Sequence, residues 1–153
     1  KKSYRLEQKI IINRPQRDVF NYIRQTKNHD HYNKWVMIEK KKKKEFRGVD
    51  GTEGFVYGWD GNKKAGAGEQ EIKKIAGDER IDIEIRFKRP FKAIADTSMI
   101  ASGNGGQTNV RWTMSSQMGY PMNAMLLFMN MDKLLGKDME TSLGNLKKIL
   151  EKN

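Results

Sequence analysis

From residue 35 to residue 116 the chain reads as a succession of strands joined by turns, and no other feature constrains the fold as much. Residues 35–46 form one candidate strand. Phe55, Tyr57 and Trp59 alternate in the next, and Asp60-Gly61-Asn62 supplies a hairpin signal. Residues 65–75 return, and Gly77-Asp78 turns again. Ile81, Ile83, Ile85 and Phe87 then alternate with Asp82, Glu84 and Arg86, the pattern of a strand with one buried face. Lys88-Arg89-Pro90 breaks it. Residues 93–102 and 108–116 pair across Gly103-Asn104-Gly105-Gly106. A parallel crossover takes a dozen or more residues, and none of these connections has them, so the strands are antiparallel neighbours.

The flanks complete the architecture. Tyr4, Leu6, Gln8, Ile10 and Ile12 alternate with Arg5, Glu7 and Lys9 as a first strand. Pro15 suits the first turn of a helix, and Val19, Phe20, Tyr22 and Ile23 follow at helical spacing. Residues 28–33 offer one more short turn. Near the C-terminus Leu135, Met139, Leu143, Leu146 and Leu150 fall on one stripe, predicting a helix over residues 122–150 with Gly136 as the place for a bend. An apolar sheet face must be covered, and this is the only element long enough to do it. The expected class is α+β: a seven-stranded curved antiparallel sheet wrapped around a long C-terminal helix, with one or two short helices after the first strand. At 153 residues the chain suffices for a single domain with one core.

Composition narrows the function classes. No apolar run approaches the ~18 residues of a membrane span, so the chain is expected to be soluble. With no cysteine there is neither a disulfide framework nor thiol chemistry. Lys and Arg outnumber Asp and Glu by 30 to 19, a net charge of +11. Such an excess attracts polyanions, and an anionic membrane surface is a partner it admits. Specific nucleic-acid reading is not expected, because the basic run at residues 40–44 lacks interleaved aromatics and reads as solvated strand and hairpin tip. Any binding to DNA or anionic vesicles should therefore fall steeply with added salt, as a vesicle sedimentation series would show.

Strand parity nominates a binding surface. Tyr57, Trp59, Phe87, Trp112 and Met114 share the parity of the strongest apolar alternations, and Gln70 follows Gly66 and Gly68 at period two. Tyr and Trp bring a polar handle to an apolar wall, whereas the isoleucines of the same face read as core filler. Gly66 and Gly68 leave room or let the strand bend. Six of the nine methionines fall within residues 114–131, where flexible, polarizable side chains suit an adaptable surface. Met125 and Met129 represent them in the candidate wall. Thr97 and Ser116 also face inward by parity, and Asp96 would do so with a shifted register. Asp82, Glu84, Arg86 and Arg111 face out, leaving no strong proton-transfer pair in view. His29-Asp30-His31 lacks the spacing and the further ligands of a zinc site, Gly-x-Ser-x-Gly is absent, and both histidines read as exposed. No metal, cofactor or catalytic residue is assigned.

Several short motifs, in order and spacing, carry a resemblance over almost the whole chain. They are Ile12-Asn13-Arg14-Pro15 with Val19-Phe20 and Trp35, then Gly58-Trp59-Asp60-Gly61-Asn62 and Gly66-Ala67-Gly68. Arg89-Pro90-Phe91, Val110-Arg111-Trp112 and Tyr120-Pro121 follow, and Gly136-Lys137-Asp138-Met139-Glu140 and Leu143-Gly144-Asn145-Leu146-Lys147 close the series. The chain resembles the SRPBCC superfamily, the helix-grip fold of START lipid-transfer domains, plant pollen allergens and polyketide cyclases, and most of all bacterial proteins labelled polyketide cyclase or dehydrase and lipid transport. The resemblance implies a cavity between sheet and helix for a small apolar or lipid-like ligand, held by a carrier or sensor. The runner-up is a cyclase- or dehydrase-like enzyme for an aromatic or polyketide-like substrate, and a third reading is a membrane-tethered interaction domain. Many similar bacterial chains carry an N-terminal membrane helix just before the segment matching Lys1-Lys2-Ser3-Tyr4, so an upstream anchor is the expectation for a chain that begins at Lys1, with a cytoplasmic location otherwise. A probe in the cavity should quench tryptophan, and Trp112→Ala should alter its binding more than Trp35→Ala.

Overall fold

The structure is a computed structural model that describes residues 3–37, 42–61, 66–89, 92–117 and 131–152. Strand β1 (Ser3–Ile12) is followed by helix α1 (Gln16–Ile23), a 3-10 helix (Thr26–His31) and the single helical turn α2 (Lys34–Met37). Six strands come next: β2 (Lys43–Arg47), β3 (Val56–Asp60), β4 (Ala67–Ala76), β5 (Arg80–Arg89), β6 (Ala93–Asn104) and β7 (Gln107–Gln117). Helix α3 (Met131–Glu151) ends the chain. The seven strands form one curved antiparallel sheet in the order β1-β7-β6-β5-β4-β3-β2.

The turns behave as their residues dictate. Asn104 pairs with Gln107 across Gly105-Gly106, and Gly105 takes φ +66°, a left-handed value that a residue with a Cβ resists. Two register shifts interrupt β4 against β5, at Ala67/Gly68 and at Ile72/Lys74. Each adds local bend and twist, which a sheet needs in order to curl around a helix.

Residues 35–46 are not the continuous strand expected. Trp35 and Val36 lie in α2, and β2 begins only at Lys43. Tertiary contacts override the β propensity of this segment. The Trp35 indole Nε1 donates to Asp138 Oδ2 at 3.0 Å, Lys34 Nζ reaches Asp138 Oδ1 at 3.0 Å, and the Lys34 backbone N–H donates to Ser142 Oγ at 2.9 Å, so α2 is fastened to α3. Within the basic run Lys43 and Lys44 are exposed strand residues, as expected, and only Lys42 among the described residues departs from that reading. Lys42 is buried, with Nζ donating to the Val36 carbonyl at 2.5 Å, and Lys44 pairs with Asp30 at 2.5 Å.

Helix α3 carries the expected stripe, with Met139, Leu143 and Leu146 fully buried and Leu135 and Leu150 half-buried. Its helical run passes through Gly136 without interruption. The expected residues 122–130 of this helix lie outside the described residues. The far end is tied to β1 and the loop after it, where the Asn13 N–H donates to Glu151 Oε2 at 2.7 Å and Arg14 Nε donates to the Leu150 carbonyl at 2.7 Å. Among the described residues no helix is long and apolar enough to cross a membrane.

The outer face of the sheet is ionic. Arg86 sits among Glu69, Glu71 and Glu84, and its hydrogen bond to Glu84 leads the contacts that raise the guanidinium pKa. Asp82, Glu84, Arg86 and Arg111 thus lie on the side away from α3, as parity requires. Asp96 is exposed and opposes Glu84, so the shifted register that would have turned it inward does not occur.

Candidate functional site

The concave face of the sheet is a set of side-chain rows. Tyr57 lies opposite Gln70, and Gln70 opposite Ile85. In the next row Ile72, Ile83, Thr97 and Met114 follow one another across four strands. Ile81, Met99 and Trp112 make a third. In the outermost row Trp59 opposes Gly68, which opposes Phe87. Period-two parity sets these rows before any contact is considered, because a one-residue slip would turn the whole strand over.

Between these rows and α3 lies a cavity of about 280 Å³. The structure brings Tyr57, Trp59, Gln70, Phe87, Trp112 and Met114 together in its wall. Met125 and Met129 lie outside the described residues. Ile83 and Ile85, expected as core filler, border the cavity, while Ile81 is fully buried in the core. Leu135 contributes from α3, and Lys42 from the segment just before β2.

The short helices supply a wall that strand parity did not anticipate: His29, Tyr32 and Asn33, then Trp35 and Val36. The Trp35 ring packs 5.5 Å from that of Trp112. Trp35 is therefore part of the wall, a place the candidate residues drawn from strand parity did not include. All three tryptophans of the chain border the cavity.

Gly68 stands at one of the two β4 register shifts, as the bending alternative expects, and the room it leaves is not open. A Cβ there would come within 2.7 Å of the Trp59 indole and 2.5 Å of the Arg86 carbonyl oxygen. The space is occupied by the Trp59 ring, which packs edge-on against Phe87 with centroids 6.0 Å apart. Gly68→Ala should therefore displace Trp59 and cost about 1–3 kcal/mol through overpacking. Urea unfolding would read the loss, and a shifted tryptophan emission would report the moved ring.

Polar groups in the wall are few and individually placed. The Trp112 indole donates to Thr97 Oγ1 at 2.6 Å, and that hydroxyl donates to the Thr113 carbonyl at 2.8 Å. Ser116, also inward, is spent on the Ile94 carbonyl at 2.6 Å. The Tyr57 hydroxyl donates to Asp30 Oδ1 at 2.7 Å, and the Lys44 ammonium holds the other carboxylate oxygen. Burial, then the bond to Asp30, raises the Tyr57 pKa far above that of an ordinary phenol, so Tyr57 is a fixed hydrogen-bond donor.

The residue that sequence reasoning placed wrongly is His29. It is 4% exposed and borders the cavity, not the solvent. A signal existed. Side chains three apart eclipse in a 3-10 helix, and Thr26, His29 and Tyr32 stand at that spacing, all three buried. The ring packs edge-on against Tyr32 with centroids 5.5 Å apart, and its Nε2 lies 3.4 Å from the Ile23 carbonyl. Burial holds the imidazole pKa below its ordinary value, against the opposing pull of the Ile23 carbonyl, of Asp50 and Asp30, and of the Gln70 amide beside it. No hydrogen bond of good geometry reaches Nδ1 among the described residues, and the Gln70 amide is the side chain close beside the ring.

A buried imidazole with a lowered pKa has a defined linkage. Between its folded value and the unfolded value of roughly 6.5, the unfolded chain binds more protons, so stability falls as pH drops through that window. The loss should be present in the wild type and flattened in His29→Phe, measured as unfolding midpoints across a mildly acidic pH series.

Among the described residues no three His, Cys, Asp or Glu side chains gather as a metal site. The arrangement can hold an apolar body against aromatic rings and orient it through a handful of neutral donors and acceptors.

A curved antiparallel sheet gripping a long C-terminal helix over an apolar cavity defines the helix-grip class of the SRPBCC superfamily. Within it, the chain belongs to the family described as polyketide cyclase / dehydrase and lipid transport, whose model matches residues 3–151. Norcoclaurine synthase from Thalictrum flavum is a structural relative at 7% identity, with a TM-score of 0.75 over 99% of this chain and 95% of that one. Ara h 8.0201 is 11% identical, with a TM-score of 0.67 over 99% of each chain. The Aha1 dimer from Colwellia psychrerythraea provides a third, 13% identical with a TM-score of 0.66 over 97% of this chain and 96% of that one. At these identities the likeness is one of fold. No curated protein matches the sequence.

Proposed function

We propose that the chain acts as one ligand-binding domain, a carrier or sensor that takes a small, largely apolar molecule between the sheet and α3. One observation carries this reading: a cavity of about 280 Å³ whose wall is mostly aromatic and aliphatic and includes all three tryptophans. A core meant only for stability closes to near crystal-like packing, so an open apolar volume of this size calls for an occupant. The volume is small for a membrane lipid and suits two or three fused rings or a short acyl chain. Tyr57, Trp59, Gln70, Phe87, Trp112 and Met114 are the ligand-contacting residues in this proposal, with His29, Trp35 and Lys42 added to them.

A second reading, the cyclase- or dehydrase-like enzyme, is favoured by the buried, neutral His29, a proton acceptor at the wall. The two are separated by what leaves the cavity. Native mass spectrometry of gently purified protein, with extraction of any bound molecule, should reveal an apolar compound released unchanged after incubation. Conversion to a product of different mass would move the enzyme ahead. An apolar dye such as aminoanthracene should also quench the tryptophan emission. Failure of every such probe to bind would sink both readings and leave an interaction domain.

A further inference from the structure

We infer that His29 forms an acceptor subsite for a hydroxyl on the cavity ligand, so that the preferred occupant is a neutral phenol or alcohol on an apolar ring body, not a hydrocarbon or an acid. This rests on the cavity reading above and specifies its ligand class. Nε2 faces the Ile23 carbonyl, which cannot donate, so Nε2 carries the ring proton of the neutral imidazole. Nδ1 is then a lone-pair acceptor, and it is the atom without a partner on a ring that borders the cavity. A buried polar atom left unsatisfied is costly, and a guest that supplies the missing donor recovers that cost on binding.

Several other polar groups at or near the wall are already engaged. The Trp112 indole is spent on Thr97, and Tyr57 on Asp30. Lys42 Nζ is held by the Val36 carbonyl, and Lys44 by Asp30. The described ammonium that borders the cavity, Lys42, is therefore not held there solely to receive a carboxylate. Thr26 Oγ1, one 3-10 turn earlier, is also without a partner but does not border the cavity. The Gln70 amide sits beside the ring and also borders the cavity, so it is the second group whose removal the test must include.

The test compares naphthol, methylnaphthalene and naphthoate, matched in ring body, by displacement of aminoanthracene from the wild type, His29→Phe and Gln70→Leu. The wild type should bind naphthol about tenfold more tightly than methylnaphthalene, the worth of one buried hydrogen bond to a waiting acceptor, and should bind naphthoate more weakly than naphthol. His29→Phe should bring the ratio of naphthol to methylnaphthalene affinity close to one, whatever the substitution does to the affinity for the hydrocarbon itself. In the wild type, the nitrogen resonance of Nδ1 should move on adding naphthol and stay on adding methylnaphthalene, a readout that does not depend on any variant folding. Equal binding of naphthol and methylnaphthalene with Nδ1 unmoved would overturn the subsite and leave the cavity reading standing. Absence of binding by all three ligands and the dye would remove both. Tighter binding of naphthoate, or a naphthol preference that survives His29→Phe but vanishes in Gln70→Leu, would assign recognition to Lys42 or Gln70 and overturn the role of His29.

Discussion

Trp112→Ala is expected to destabilise the protein by about 3–5 kcal/mol, the usual range for removing a buried aromatic side chain. Trp112 is 4% exposed, with the Trp35 ring packed against it at a tilt and its indole hydrogen-bonded to Thr97. The substitution removes both contacts and enlarges a cavity already present. Thr97 keeps its own donation to the Thr113 carbonyl, so the loss is mainly one of packing. Because the new void is apolar, free indole should refill it and restore part of the lost stability by mass action, more so at higher indole concentration. Urea unfolding with and without indole checks both parts. A midpoint within experimental error of the wild type, or no response to indole, would contradict the position assigned to this ring.

Leu146→Ala should cost about 2–5 kcal/mol, with Leu143→Ala in the same range, and either should weaken the docking of α3 on the sheet. Both side chains are essentially inaccessible and sit in the same core cluster as Ile12, Val110 and Met139. Leu150, on the same stripe but half-buried, should cost less when truncated. The gradient along one helix face is the informative measurement. Equal and small losses at all three positions would mean that the helix does not lie on the sheet as described.

The contrast between these two positions shows how much could be read from the chain alone. Leu146 is found from helical spacing, because its neighbours Leu143 and Leu150 repeat at intervals that only an α-helix turns to one side. Trp112 is found from strand parity with Val110 and Met114. Its partner Trp35 is not, since residues 34–37 carry no extended amphipathic pattern and take helical form through Asp138 and Ser142, more than a hundred residues away in sequence. His29 was misplaced for a related reason. A polar residue in a polar stretch is exposed by default, and only docking of the 3-10 helix buries the face shared with Thr26 and Tyr32.

The sequence by itself determined the antiparallel succession of strands, the inward and outward parity of β1, β3, β5 and β7, the tight hairpin at Gly105-Gly106 and the apolar stripe of α3. These follow from local periodicities of two and 3.6 residues and from turns too short for any other pairing. Only the tertiary structure decided which side chains close the cavity between sheet and helix. Lys42 turns in from a run of charges that composition alone assigns to solvent. Gly68 is filled by Trp59, and His29 is held neutral at the wall. Each of these depends on a neighbour distant in sequence, and the free energy of burying or pairing a polar group is set by what surrounds it in space, which no local period encodes.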